Sequence, residues 1–219
     1  MMDLKLVIFD MDGLMFNTEY VFMQKWAQAI VNRGFKPVSE LFINGMGRSG
    51  RDYDSYKMVH GANFDVDDVY RETRQNALAT MNEDGVTPKK GLLELLEYLS
   101  KNSYLTAIAS SSKEETIHKY LEMNNVTHKF DYIIGGDRIT NFKPDPEIFL
   151  KACAALNVAV ENAIVLEDSP NGIKAAKNAG IPCIMVPDLA PPSEELQKIL
   201  FKVADSLFDV IEIIENLGK

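Results

Sequence analysis

The sequence predicts an α/β fold, a mostly parallel sheet with helices on both faces, interrupted after its first strand by an all-helical insert. Two patterns lead to this reading. Short continuous apolar runs with Val and Ile recur along the chain, as strands buried on both faces require, and stretches of helical periodicity lie between most of them. From the first run to Gly91, by contrast, helical patterns follow one another with no convincing buried strand among them. Alternation of strand and helix implies a parallel sheet, and its suspension implies an insert.

In chain order, Leu4–Phe9 is the first run, ended by Asp10. Helices are expected over 18–33, 55–60 and 65–81 in the insert, with hinges at Phe16 and Asn17 and in the turn-rich Glu83-Asp84-Gly85-Val86-Thr87-Pro88. The expected division is a Rossmann-like core of residues 1–16 and 84–219 around a small helical domain of residues 17–83. The core continues with a helix over Gly91–Lys101, a strand over Tyr104–Ala109, a helix over Lys113–Met123 and a shorter strand over Tyr132–Ile134. A helix over Pro146–Leu156, a strand over Ala163–Leu166, a helix over Pro170–Ala179 and a strand over Pro182–Val186 follow. Both of these helices open with proline at the first helical position, and the second is followed by Gly180. Inside the insert, Phe22, Trp26, Ala29, Ile30 and Arg33 follow helical spacing and read as packing rather than substrate stacking.

A chain of 219 residues holds one sizeable core plus an appendage. Hydrophobic residues at 46% and charged residues at 25% exclude a disordered chain. The net charge of -9 repels nucleic-acid phosphates and anionic lipid, so neither nucleic acid nor a membrane is an expected partner. A phosphorylated metabolite is also an anion, and a metal ion with a few aimed donors would have to attract it locally. Cys153 and Cys183 have no second sulfur or histidine at ligand spacing and read as small buried hydrophobes. The start MMDLKLVIFDMDG carries acids where a secretory signal carries bases, and no run reaches the roughly 20 apolar residues of a membrane span. A reducing, cytoplasmic setting is expected, and nothing in the sequence fixes an oligomeric state.

The first strand ends in Asp10-Met11-Asp12-Gly13, two carboxylates where the chain leaves the sheet. Ligands of open α/β sheets bind outside the carboxyl ends of the strands. Ser110-Ser111-Ser112 and Glu167-Asp168-Ser169 follow two further strands, and Lys143 lies in the loop after another. These groups would converge on one pocket if their strands are neighbours. The chemistry that needs such a set is phosphoryl transfer through an aspartyl phosphate, with Asp10 as nucleophile. Repulsion between two anions must then be relieved by a hard cation, so Mg²⁺ is the expected cofactor. Asp10 and Asp168 are its candidate side-chain ligands, the backbone carbonyl of Asp12 a third, and Glu167 a candidate for the metal site that would support those ligands from behind. Asp12 would act as acid and then base. Ser110 and the backbone N–H groups of Ser111 and Gly13 would hold equatorial phosphoryl oxygens, and Lys143 would neutralise charge.

The segments DMDGLMFNTE, IASSSKEE, KPDPEIF and VLEDSPNG resemble, in order, the four motifs of the haloacid dehalogenase superfamily. The helical insert is similar to that superfamily's small cap domain, as in the phosphatases related to β-phosphoglucomutase. The resemblance implies Asp10 as nucleophile, Asp12 as acid/base, Ser110 and Lys143 as phosphate binders and Asp168 as a magnesium ligand. The dehalogenase branch generally lacks a second motif-I carboxylate, so Asp12 argues for phosphoryl chemistry. The mutase branch is known for a histidine soon after motif I, where this chain has Thr18-Glu19-Tyr20-Val21-Phe22. Asn17 replaces the aspartate common at the end of motif I.

The expected function is thus Mg-dependent hydrolysis of a small phosphomonoester, a sugar phosphate or a nucleotide. A sugar-phosphate mutase is the alternative enzyme, and a phospho-accepting signalling switch is the alternative from another class, although a switch has no use for the insert. Gly45-Met46-Gly47-Arg48-Ser49-Gly50 matches G-x-G-x-x-G, but it lies in the insert rather than after a first strand, so a dinucleotide is not expected. Arg48 has two readings, a loop residue reaching the substrate or a solvated arginine. Glu19 likewise reads either as facing the active site or as a solvated acid at a helix N-terminus. His60, His118 and His128 are scattered and read as structural or surface residues.

Overall fold

A computed structural model describes residues 2–45 and 52–217. Its six strands are β1 (Leu6–Phe9), β2 (Leu105–Ala109), β3 (Tyr132–Ile134), β4 (Ala163–Glu167), β5 (Cys183–Met185) and β6 (Lys202–Val203). They form one sheet in the order β3-β2-β1-β4-β5-β6, with every neighbouring pair parallel. All four residues of β1 are buried, as expected for a strand covered on both faces. Phe9 pairs with Ile108 on one side and Leu166 on the other. The residues that follow these three strands therefore emerge side by side, at the point where the strand order reverses and open sheets form a crevice.

The insert contains α1 (Thr18–Asn32), α2 (Ser39–Gly45), α3 (Tyr53–His60) and α4 (Val66–Asp84). The core helices are α5 (Leu92–Lys101), α6 (Glu114–Met123), α7 (Glu147–Ala155), α8 (Pro170–Ala179), α9 (Glu194–Gln197) and α10 (Leu207–Leu217). Side chains alternate across a strand, and Leu6 and Ile8 share one buried cluster with Ile148, Phe149 and Ala152 of α7 and Ile173 and Ala176 of α8. Cys153 and Cys183 belong to this cluster, and burial pushes the Cys153 thiol up to about 11. α8 begins at Pro170 behind Ser169, whose side chain accepts from Gly172 N, and ends at Gly180 in the left-handed conformation.

Two compact units result, Met1–Asn17 with Thr87–Lys219 and Thr18–Val86. The boundaries fall at Asn17/Thr18 and Val86/Thr87, where the sequence suggests 16/17 and 83/84. The second boundary lies further on because α4 runs through Asp84. Within the helical unit, Trp26, Ala29 and Ile30 are buried on α1, Val69, Thr73 and Ala77 on α4. The Trp26 ring packs 5.6 Å from Phe42 and 6.1 Å from Tyr56. Arg33 ties α1 to α4 by pairing with Asp68 and, at 2.6 Å, with Glu72. His60 packs against Phe35 and Phe64, while His118 and His128 are exposed. Among the described residues no helix is long and apolar enough to cross a membrane.

Candidate active site

The buried carboxyl ends of β1 and β4 bring Asp10, Glu167 and Asp168 together, with one oxygen from each inside a group no more than 4.8 Å across. Lys143 enters this group from the loop after β3. Its side chain is 5% exposed, and Nζ donates to Asp10 Oδ1 at 2.6 Å, Glu167 Oε1 at 2.7 Å and Ala109 O at 3.0 Å. An ammonium has three protons, and here each has an acceptor. The Phe149 ring lies beneath, 4.9 Å from Nζ to its centroid.

Burial pushes the Asp10 carboxyl up to about 8, and the charges of Glu167 and Asp12 add to the rise against the pull of Lys143. Burial alone would depress Lys143, but Asp10 and Glu167 hold it above the ordinary lysine range. The group therefore concentrates negative charge in a place that disfavours it, a condition that a hard cation with oxygen ligands reverses. Gly13 adds to the fit. Its φ is +80°, and a methyl group on its Cα would overlap Asp168 Oδ2, so the bare glycine lets the turn after β1 close against that carboxylate. The donor set is all oxygen, as Mg²⁺ prefers.

Asp12, half-buried, sits beside the serine cluster that follows β2. Ser112 Oγ donates to Asp12 Oδ2 at 2.7 Å and Ser110 Oγ approaches the same oxygen at 3.4 Å. Ser112 N donates in turn to Ser110 Oγ at 3.1 Å, while Ser111 between them is exposed. Tyr120 of α6 is buried nearby, and burial together with the charge of Asp12 pushes its phenol up to about 12. Ser112, in contact with Asp12, and Tyr120, which feels its charge, are neighbours that the motif reading passes over. The i, i+2 spacing of Ser110 and Ser112 is the one signal in the sequence for the first of them, and Tyr120 has no comparable signal.

Glu19 lies in the first turn of α1. It lines a cleft of about 260 Å³ within the helical unit, together with Phe22, Phe42, Tyr70, Thr73 and Arg74. Arg48, and the glycine-rich segment beyond Gly45, lie outside the described residues.

Residues 7–186 match the family model of the haloacid dehalogenase-like hydrolases. The chain is 31% identical over 180 residues to validoxylamine A 7'-phosphate phosphatase of Streptomyces hygroscopicus subsp. limoneus, covering 82% of this chain and 84% of that one. It is 29% identical to a phosphorylated carbohydrates phosphatase of Thermotoga maritima, covering 80% and 81%. Among solved structures, a haloacid dehalogenase-like protein of Agrobacterium tumefaciens shares the fold with a TM-score of 0.81 at 20% identity, over 99% of this chain and 100% of that one.

Proposed function

The chain belongs to the haloacid dehalogenase-like hydrolase family, and on that premise we propose that it is a magnesium-dependent phosphomonoester hydrolase working through an aspartyl phosphate on Asp10. The substrate on this reading is a small phosphorylated metabolite, a sugar phosphate or a nucleotide. A relative named for phosphorylated carbohydrates favours the sugar phosphate. One observation carries the reading. Asp10 is buried beside Asp168 with Lys143 on its Oδ1, and a second acid, Asp12, is held separately by Ser112.

Asp10 and Asp168, with the backbone carbonyl of Asp12, would hold Mg²⁺, which when bound neutralises charge on the nucleophile and the phosphoryl group. Glu167 is better suited to support than to direct ligation. Oε1 takes Lys143, and Oε2 takes Asp168 N, Ser169 N and Ser169 Oγ at 2.9–3.0 Å. Lys143 fixes one oxygen of Asp10, leaving the other to attack phosphorus as the bond to the leaving oxygen breaks. Asp12 gives its proton to that oxygen and later takes one from the water that cleaves the aspartyl phosphate. Ser112 fixes the orientation of Asp12 for both transfers. Ser110 Oγ and the N–H groups of Ser111 and Gly13 are the proposed donors to the phosphoryl oxygens. Selection among phosphomonoesters is assigned to the insert, with Glu19 and Arg48 its proposed residues.

Phosphate release from a panel of phosphomonoesters, including a sugar 1-phosphate and 6-phosphate pair, tests this for the intact protein and Asp10→Asn, with and without Mg²⁺. Release that needs Mg²⁺ and falls by at least about 10³-fold in the variant is expected, since the covalent route is then lost. Interconversion of the sugar phosphates without release would replace the hydrolase by the mutase. Absence of both reactions at saturating Mg²⁺ would sink the enzymatic reading for this panel.

A further inference from the structure

We propose that Asp188, just past β5, is a positioning residue for the metal cradle, its outer carboxylate orienting water on a cation held by Asp10 and Asp168. The inference rests on the metal-dependent reading above. Strand β5 lies next to β4, and Val186 N donates to Glu167 O at 2.9 Å. The chain after β5 is thereby delivered to the same sheet end as Glu167 and Asp168. The side chain of Asp188 is 4% exposed. Its Oδ1 is paired with Lys89 Nζ, and Lys89 is fixed in turn by its N–H, which donates to Met15 O at 2.8 Å.

The second oxygen carries the argument. Asp188 Oδ2 is buried and accepts no hydrogen bond from the described residues. A methyl group on Gly13 that overlapped Asp168 Oδ2 would also come within 3.3 Å of Asp188 Oδ2. The two carboxylates thus face one bare Cα from two loops. Two like charges so placed repel, and a buried acceptor without a donor costs about 1–3 kcal/mol, so an ion pair with Lys89 explains Oδ1 alone. Asp188 lies outside the acidic group compact enough to hold an ion directly, which is Asp10, Glu167 and Asp168. An acceptor one layer out from such a group matches what Mg²⁺ requires, because the ion keeps several waters whose protons need partners.

Calorimetric titration of Mg²⁺ into the metal-free protein, with melting curves taken without the ion, tests the proposal in Asp188→Ala, Asp188→Asn and Asp168→Asn. Asp188→Ala removes the acceptor and is expected to weaken Mg²⁺ binding about 10- to 100-fold, the range for groups that hydrogen-bond to a metal's own ligands. Asp188→Asn keeps the shape and one acceptor oxygen, which guards against loss of the fold, and is expected to fall between Asp188→Ala and the intact protein. Metal-free melting temperatures should move little, because Lys89 is 21% exposed and can turn to solvent. If both Asp188 variants bind Mg²⁺ within twofold of the intact protein while Asp168→Asn loses binding, Asp188 is a structural ion pair and the proposal is overturned. If Asp168→Asn binds as the intact protein does, the cradle itself is misassigned, and the failure belongs to the metal-dependent reading.

Discussion

Glu167 is fully buried, and between its two oxygens it accepts from Lys143, two backbone N–H groups and the Ser169 hydroxyl. A buried carboxylate is tolerated when it is paired and hydrogen-bonded in this way. Its position also depends on Gly172 in the first turn of α8, because a Cβ there would overlap the Glu167 carboxylate. Gly172→Ala is therefore expected to displace Glu167, loosen Lys143 and destabilise the protein by about 3 kcal/mol or more, combining overpacking with a broken buried pair. Urea denaturation at neutral pH measures this, and a change under about 1 kcal/mol would mean the carboxylate has room to move. The sequence made Asp10, Asp12 and Asp168 legible because acids directly after buried strands have few bland explanations in combination. Glu167 was legible as an acid of the candidate site but not as the hub beneath Lys143, since that role depends on which oxygen faces which donor. Lys89 and Asp188 were illegible for a related reason. They stand 99 residues apart, and each alone is an ordinary loop charge.

The loop from β3 to α7 is the element that delivers Lys143, and Glu147 organises it from the first turn of α7. Its carboxylate accepts from Thr140 N at 3.0 Å and Asn141 N at 2.8 Å, and pairs with Lys151 at 2.7 Å. Lys151 first, then these two N–H groups, hold its carboxyl at about 2, below the usual 4.5. A depressed folded-state value means that the contribution to stability is fully present above the unfolded value near 4.5 and is lost as pH falls towards 2. The melting-temperature advantage of the intact protein over Glu147→Gln should accordingly be constant from pH 6 to 5 and shrink below about 4.5. A gap that stays constant down to pH 3 would show that the carboxylate charge does not hold the loop. Elements with strong patterns were legible to within a residue or two, among them α8, where proline and glycine mark both ends. β6 was not, because two exposed residues at a sheet edge carry no apolar run. Past Val186 the alternation of strand and helix lapses, yet α10 buries Leu207, Val210 and Ile214 at helical spacing, a stripe the sequence does display.

At the scale of the whole molecule, alternation foretold a parallel sheet but not its order. The order β3-β2-β1-β4-β5-β6 depends on which hydrophobic faces meet, and it is this order that turns scattered motif residues into one site. The division into units is likewise a matter of closure. The core unit seals itself where the insert leaves and returns: Asn17 N donates to Thr87 O at 2.9 Å, Lys89 N to Met15 O at 2.8 Å, and Phe16 forms a bridge with Pro88. Its buried cluster on the α7 and α8 face of the sheet draws on residues of that unit alone. A chain in which about four Gly or Ser residues replace Thr18–Val86 should therefore need no rearrangement of the core backbone, and shortening a closed loop by many residues reduces its closure entropy cost only modestly. The shortened protein is expected to unfold in one cooperative transition. It should also gain about 2.7 kcal/mol of stability when Mg²⁺ is supplied at about 100 times its dissociation constant, because every proposed ligand lies outside the excised segment. Selectivity among phosphomonoesters should be lost with the insert. Circular dichroism melts with and without Mg²⁺ make the measurement: a broad, metal-insensitive transition would show that the core depends on the insert for its fold, and a sharp transition raised by Mg²⁺ would show that fold and cradle are built by the sheet and its own helices.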